Sequence, residues 1–291
     1  MRKVYIIGGK GNLGNQIYKL IPEAICWDSN DLDVTSEVAV QKKLQDLTSE
    51  DVVINCAAYN DLDAAEDNPA AAFALNEDAP RFLAEAINKT QSTFIHFSTG
   101  YVFSGEQKEV HSENDTPDPN SVYAKSKLAG EKSVENVGGK YYIIRTNLLF
   151  GPQGPSRNSK KSVVDVMRGI GTEKKYLRGI VDEQSNFTYT PDLAKATVDI
   201  LKDRPLFGIY HLVNEGYGNW YELAHQIFTS LGWDVLNEPK EPLSDRAIII
   251  EQISGTDYPR KAKRPTSAVL INTKRPLLRS WQEALNEYLN S

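Results

Sequence analysis

The chain has 291 residues, 40% of them hydrophobic and 25% charged, with 33 basic against 39 acidic side chains and a formal net charge of −6. That length and apolar content suit one large domain or two ordinary ones, and the composition excludes disorder, collagen-like repeats and coiled coil. No apolar run is long enough to span a membrane, the apolar start is too short for a signal peptide, and the acidic balance argues against nucleic acid. The expectation is a soluble cytoplasmic protein with no nucleic-acid or membrane partner.

Taken in chain order, residues 3–7 (KVYII), 24–27, 52–56 (VVINC), 93–97 (TFIHF) and 141–145 (YYIIR) read as strands that are apolar almost throughout. A sheet buried on both faces demands that pattern. Helix-period stretches at 12–20, 38–47, 76–88 and 122–136 alternate with them. Such alternation implies parallel pairing through right-handed crossovers. Beyond Gly151 the rhythm changes. Residues 151–162 (GPQGPSRNSKKS) read as a loop, followed by a helix at 162–169. A helix at 191–203 opens with Pro191 and carries Asp192 in its first turn, and a strand follows at 209–213. A helix at 220–231, an irregular Pro- and Lys-rich stretch at 237–267 and a final helix at 280–289 complete the reading. The fold class expected is α/β. A Rossmann-type doubly wound parallel sheet takes 1–150 with 191–213, and a smaller mixed α/β substrate lobe takes 151–190 and 214–291.

Cys26 and Cys56 lie in apolar runs and read as buried small hydrophobes of a reducing compartment. His96, His111, His211 and His225 share no metal-ligand spacing with them or with one another, so no metal site is expected.

Directly after the first strand comes Gly8-x-x-Gly11-x-x-Gly14. Gly8 and Gly11 let the backbone turn and approach a pyrophosphate, while Gly14 lets the next helix pack closely. The N–H groups at that helix's start, at Asn12 and Leu13, would face the phosphate. Asp28 follows the second strand, where a carboxylate accepts from an adenosine ribose and repels a 2′-phosphate. Asp33 reads equally as an adenine contact or a helix cap, and Lys10 could receive a 2′-phosphate. The cofactor expected is NAD(H) or NADP(H), with a lean to NAD.

Tyr123 and Lys127 stand four apart in a helical stretch, which puts both on one face. An ammonium there would stabilise the phenolate and lower the tyrosine toward neutrality, making it a general acid. Chance alone supplies one such spacing in a chain of this make-up, so its company decides. Ser98-Thr99 ends the 93–97 strand, and a hydroxyl at that end of a parallel strand points into the ligand crevice.

The glycine loop, strand-end Ser98-Thr99 and Tyr123-x-x-x-Lys127, in that order, resemble the extended short-chain dehydrogenase/reductases. Further stretches narrow the resemblance to the dTDP-4-dehydrorhamnose reductase family. These are Asn55-Cys-Ala-Ala-Tyr59, Asp63-Ala-Ala-Glu66, Asn76, Tyr123 through Glu131, Ile144-Arg-Thr146, Asp192-Leu-Ala194, Gly208 through Leu212 and Arg264-Pro265. The resemblance implies hydride transfer from a nicotinamide to a ketone carbon of a nucleotide sugar. It makes Tyr123 the proton donor, Thr99 the partner of the carbonyl oxygen and Lys127 the holder of the nicotinamide ribose. It makes Ala57, Ala58 and Tyr59 cofactor neighbours, gives Asn76 a structural task and puts Tyr101, Asn147 and Arg264 at the substrate. Lys160, Lys161, Arg168, Lys175 and Arg260 are further candidates for its diphosphate.

Departures from the family pattern fall on the substrate side: Gly100 for Asp, Asn147-Leu148 for Ser-Trp, Phe187 for Pro, and Ser267-Ala268 for Asn-Ser. Gly100-Tyr101 also lacks the acidic pair that related dehydratases use, which argues for reduction. The expected partner is a nucleotide-sugar substrate, and a homodimer stands open beside a monomer. Two alternatives stay open: a nucleotide-sugar epimerase that retains its cofactor, and a non-catalytic regulatory subunit resembling that of methionine adenosyltransferase.

Overall fold

The computed structural model describes residues 2–238 and 244–291. Its first half runs β1 (Val4–Ile7), α1 (Asn12–Leu20), β2 (Ile25–Trp27), α2 (Glu37–Leu44), β3 (Val52–Asn55), α3 (Leu62–Asp67), α4 (Pro69–Phe73), α5 (Ala79–Lys89), β4 (Thr93–Thr99), β5 (Val110–His111), α6 (Val122–Val137) and β6 (Lys140–Thr146). The second half runs β7 (Leu149–Phe150), α7 (Val163–Lys174), β8 (Tyr176–Ile180), β9 (Thr188–Tyr189), α8 (Thr190–Asp203), β10 (Gly208–His211), α9 (Trp220–Ser230), β11 (Asp234–Leu236), β12 (Ala247–Ile253), β13 (Val269–Leu270) and α10 (Trp281–Leu289).

Six strands form a parallel sheet in the order β10-β6-β4-β3-β1-β2. Successive side chains of a strand point to opposite faces, and here both faces are covered. Ile6, Ile54, Ile95 and Phe97 pack under α1 and α8, while Ile7, Val53, Phe94 and Ile143 pack under α2, α5 and α6. The strands are therefore continuously apolar. Chain direction across the sheet reverses between β1 and β3, and ligands of such sheets bind outside the carboxyl ends of the strands at that point.

A second core is built from α7, α9 and α10 against a parallel three-stranded sheet, β11-β12-β8. Of two short ladders, β13 with β5 ties a late segment to the first half, and β7 with β9 joins two segments of the second. No helix among the described residues is long and apolar enough to cross a membrane.

Several stretches differ from expectation, among them the helices α3 and α4 and the short strands β5, β7, β9, β11 and β13, none of which was foreseen. The helix foreseen at 76–88 is interrupted by a π turn at Ala74–Asp78. Pro80 has no N–H to return to the Asn76 carbonyl, and the ladder widens there. The stretch 237–267, read as irregular, contains β12, whose Ile248 and Ile250 are fully buried; residues 239–243 of it lie outside the described residues. Prolines and lysines on its flanks mask a strand in the middle. The helix expected to end at 169 runs to Lys174 and stops at left-handed Lys175, leading into β8, which the reading missed.

Candidate active site

At the β1–α1 turn, Gly8 adopts φ +74, and a Cβ on it would lie 3.1 Å from Ala57 N at the end of β3. A Cβ on Gly14 would come within 2.3 Å of Gly8 O, so α1 can approach the turn this closely only with glycine there. Gly11 caps α1 without a side chain, which leaves the first-turn N–H groups outward for an anion. This turn fits a dinucleotide pyrophosphate. Asn12 is used otherwise: its carboxamide accepts from Gly154 N at 2.9 Å and donates to Lys160 O at 2.9 Å. Ser156 N also donates to Lys10 O at 2.9 Å, and Lys160 pairs with Asp61 at 3.0 Å. The loop after β7 is thus strapped from the glycine turn across to the segment after β3.

Lys10 pairs with Asp28 at 2.5 Å, and each holds the other's charge: the bond pulls the Asp28 carboxyl down and pushes the Lys10 ammonium up. Asp33 accepts from Thr35 N at 3.0 Å and Thr35 Oγ1 at 2.6 Å, a turn-capping arrangement. Ala57 and Tyr59 are held by side chains behind them. Asn55 Oδ1 accepts from Ala57 N at 3.1 Å, and Asn76 grips Tyr59 by both its N–H and its carbonyl, each at 2.9 Å. Asn76 reaches Ser126 Oγ as well, at 3.0 Å, so its task is structural.

Thr99 ends β4, and α6 begins beside it. Ser121 caps α6 by accepting from Ala124 N, and Glu66 on α3 accepts from Val122 N at 2.8 Å. This double cap fixes Tyr123 in the first turn. Lys127 lies one turn on, almost fully buried, with Nζ 2.6 Å from the Phe97 carbonyl. Burial brings its ammonium down to about 8 against the opposing pull of Glu131. Tyr123 moves opposite to expectation: burial pushes the phenol up, and the neighbouring Thr99 hydroxyl only partly offsets this. The phenol therefore stays protonated near neutral pH.

One turn further, Glu131 takes Arg145 through Nε at 3.0 Å and Nη2 at 2.6 Å and accepts from Ser98 Oγ. Both charges are sealed off, with Arg145 2% and Glu131 0% exposed. Gly130 packs against the π turn, where a Cβ would lie 2.0 Å from Asn76 O.

Of the substrate candidates, Tyr101 meets Tyr123 edge-on at 6.4 Å between centroids, and burial pushes its phenol up to about 12. Asn147 is buried and committed to the protein: Oδ1 accepts from Gly100 N at 3.0 Å and Nδ2 donates to Ala268 O at 2.5 Å. A Cβ on Gly100 would lie 2.5 Å from that carboxamide. The departures at 100 and 147 are thus one packing unit, tied to the backbone of Ala268. Arg264 forks onto Asp63 at 3.2 and 3.0 Å. Arg168 pairs with Asp165 and Lys175 sits over Trp233, both within the second lobe. A recess beside Tyr101 is lined by Leu148, Glu183, Phe187, Trp220 and Ala268. Its Glu183 and Trp220 escaped the sequence reading. Glu183 left no local signal, since its partner Arg260 is 77 residues away.

The family model "RmlD substrate binding domain" matches residues 1–291. The chain is 30% identical to a dTDP-4-dehydrorhamnose reductase of Aggregatibacter actinomycetemcomitans, covering 94% of this chain and 92% of that protein. Among solved structures it resembles a dTDP-4-dehydrorhamnose reductase of Clostridium acetobutylicum at 33% identity and TM-score 0.87, covering 99% and 98%. It also resembles the Bacillus anthracis dTDP-4-dehydrorhamnose reductase in complex with NADP, at 28% identity and TM-score 0.86, covering 100% and 99%.

The sealed ion pair sets an expectation for stability. Glu131→Ala leaves Arg145 charged, buried and unpaired, and lowers the unfolding free energy by about 3–5 kcal/mol. Urea denaturation measures it, and a loss below about 1 kcal/mol would contradict the assignment.

Proposed function

Because the chain belongs to the RmlD substrate-binding-domain family, we propose that it is an NAD(P)H-dependent reductase of a nucleotide-diphosphate 4-keto-6-deoxysugar, making a deoxysugar donor for glycan synthesis. The observation that carries this reading is the grouping of Thr99, Tyr123 and Lys127 at the carboxyl end of β4, beside a glycine turn with an uncapped helix start.

When bound, the reduced nicotinamide supplies a hydride to the ketone carbon. Tyr123, kept protonated by burial, gives its proton to the oxygen as charge develops there, so ketone, hydride and proton become a secondary alcohol. Thr99, beside that phenol, steadies the same oxygen. Lys127, held by the Phe97 carbonyl, puts its ammonium at the strand end and takes the nicotinamide ribose. Gly100 and Tyr101 offer no carboxylate for water loss, which favours plain reduction.

Gly8, Gly11 and Gly14, with the amides of Asn12 and Leu13, take the pyrophosphate, and Ala57, Ala58 and Tyr59 border it. Asp28 favours a free ribose 2′-hydroxyl and so NADH, while Lys10 bonded to it offers NADPH a cation. Arg264 serves the substrate diphosphate by sharing its guanidinium with Asp63. Tyr101 lines the sugar site, and Asn147 acts on it by holding Gly100 and Ala268 in place. As a biosynthetic enzyme the protein works in the cytoplasm.

Tyr123→Phe is expected to abolish reduction of a dTDP-linked 4-keto-6-deoxysugar while NAD(P)H affinity changes less than about threefold; wild-type turnover in that variant would contradict the proton donor. The pH profile supplies a second check. Tyr123 is already protonated, so the alkaline limb of kcat/KM belongs to Lys127, whose ammonium is lost as pH rises through about 8. Activity is expected to hold below that value and fall above it, and a profile flat to pH 10 would contradict the role of Lys127.

A further inference from the structure

One charged pair beside the recess, with Glu183 in its wall, has no task in the mechanism above. Arg260 forks onto Glu183, with Nη1 3.0 Å from Oε2 and Nη2 against Oε1. The Arg260 side chain is 15% exposed and that of Glu183 12%. An ion pair this enclosed costs desolvation that its attraction barely repays, so stability is a poor reason for its presence. Its position supplies a better one. Glu183 shares the recess wall with Tyr101, and Tyr101 leans on Tyr123. The carboxylate therefore lies in a recess one aromatic ring away from the proton donor.

That carboxylate is held in place from several sides. Gly255 backs it so closely that a Cβ there would lie 2.6 Å from Oε1. Asp182 fixes the Gly255 turn, accepting from Gly255 N at 2.7 Å and from Ser254 Oγ at 2.6 Å. The neighbouring backbone is pinned on both sides, Gln184 N to Thr266 O and Ser185 N to Gly218 O, each at 2.9 Å. A carboxylate has roughly four acceptor positions, and Arg260 fills only two of them. The rest await O–H or N–H donors. Leu148, Phe187 and Trp220 give the same recess an apolar wall. The recess holds about 10 Å³, room for one water-sized polar group beside an apolar wall, and a hydroxyl at the edge of a sugar ring is such a group.

We propose that Glu183, oriented by Arg260, is a specificity-determining acceptor for a hydroxyl or amino group on the ring of the substrate sugar, selecting such sugars and repelling uronic acids. This rests on the nucleotide-sugar reading above for the identity of the ligand. Arg260 is a positioning residue, and Glu183 touches substrate.

The test is calorimetric titration of the full chain, saturated with NAD(P)H, with dTDP-rhamnose and with dTDP alone. Glu183→Ala is expected to weaken dTDP-rhamnose about tenfold or more, the loss of one charge-assisted hydrogen bond, and to leave dTDP unchanged. Glu183→Gln keeps the shape and an acceptor and is expected to lie between. The double variant E183A/R260A is expected to bind no worse than E183A, because Arg260 acts only through the carboxylate. Affinity of E183A for dTDP-rhamnose within twofold of wild type, an equal loss toward dTDP, or no wild-type binding of dTDP-rhamnose would each overturn the proposal. If wild type and E183A differ as expected but wild type reduces no 4-keto sugar, the reductase reading fails and the sugar-binding role of Glu183 stands.

Discussion

The docking of α6 onto the end of the central sheet is the constraint on which the rest depends. One face of that helix carries Tyr123, Lys127 and Glu131, one turn apart, and each is bound by the sheet or its edge. Tyr123 stands beside Thr99 at the end of β4, Lys127 donates to the Phe97 carbonyl, and Glu131 closes on Arg145 of β6 and Ser98 of β4. Gly130, between the last two, lets the helix meet the π turn carrying Asn76, which in turn grips Tyr59. A single helix orientation thus sets the proton donor, the ammonium and the segment after β3 together. Glu131 and Arg145 touch no reacting atom, yet replacing either leaves a buried charge beside the trio.

The substrate side is arranged on a second principle. Its walls come from segments distant in the chain: the turn after β4, the β6–β7 connection, the 182–187 stretch, the start of α9 and the 264–268 stretch. Hydrogen bonds among these segments make one rigid rim. Asn147 joins Gly100 to Ala268, and Gln184 joins the 266–268 backbone through Thr266 and Ala268. The differences from the family pattern at 100 and 147 fit one another, since the Asn147 carboxamide fills the space a side chain on residue 100 would need. The cofactor side is free of such changes. None of Thr99, Tyr123 and Lys127 lines this recess, so the wall and the trio are separate parts of the crevice.

Much of this was legible in the sequence wherever a local pattern carries the physics. Burial on both faces writes itself as apolar strands, close helix approach as glycine, and a shared helix face as a four-residue spacing. What escaped is set by pairing across long separations. The Asn12 carboxamide, whose backbone suits a phosphate, is taken by the loop at 154–160, more than a hundred residues on. Arg264, read as a free cation, is already paired with Asp63, and Arg260 with Glu183. The expected lowering of Tyr123 assumed an ammonium in water-like surroundings, and burial reverses its direction. β12 was hidden because composition was averaged over prolines and lysines that flank it.

The central claim is net reduction of a sugar ketone by this trio, and isotope transfer tests it most directly. Purified protein would be given NAD(P)H deuterated at the transferable nicotinamide position and a dTDP-linked 4-keto-6-deoxysugar, with the product examined by mass spectrometry and NMR. The account predicts deuterium on C4 of the product sugar, one cofactor oxidised for each alcohol formed, and a proton from solvent on the oxygen. An inverted sugar with no net cofactor oxidation, as an epimerase would give, or no product from any nucleotide-linked keto sugar, as a regulatory subunit would give, would contradict it.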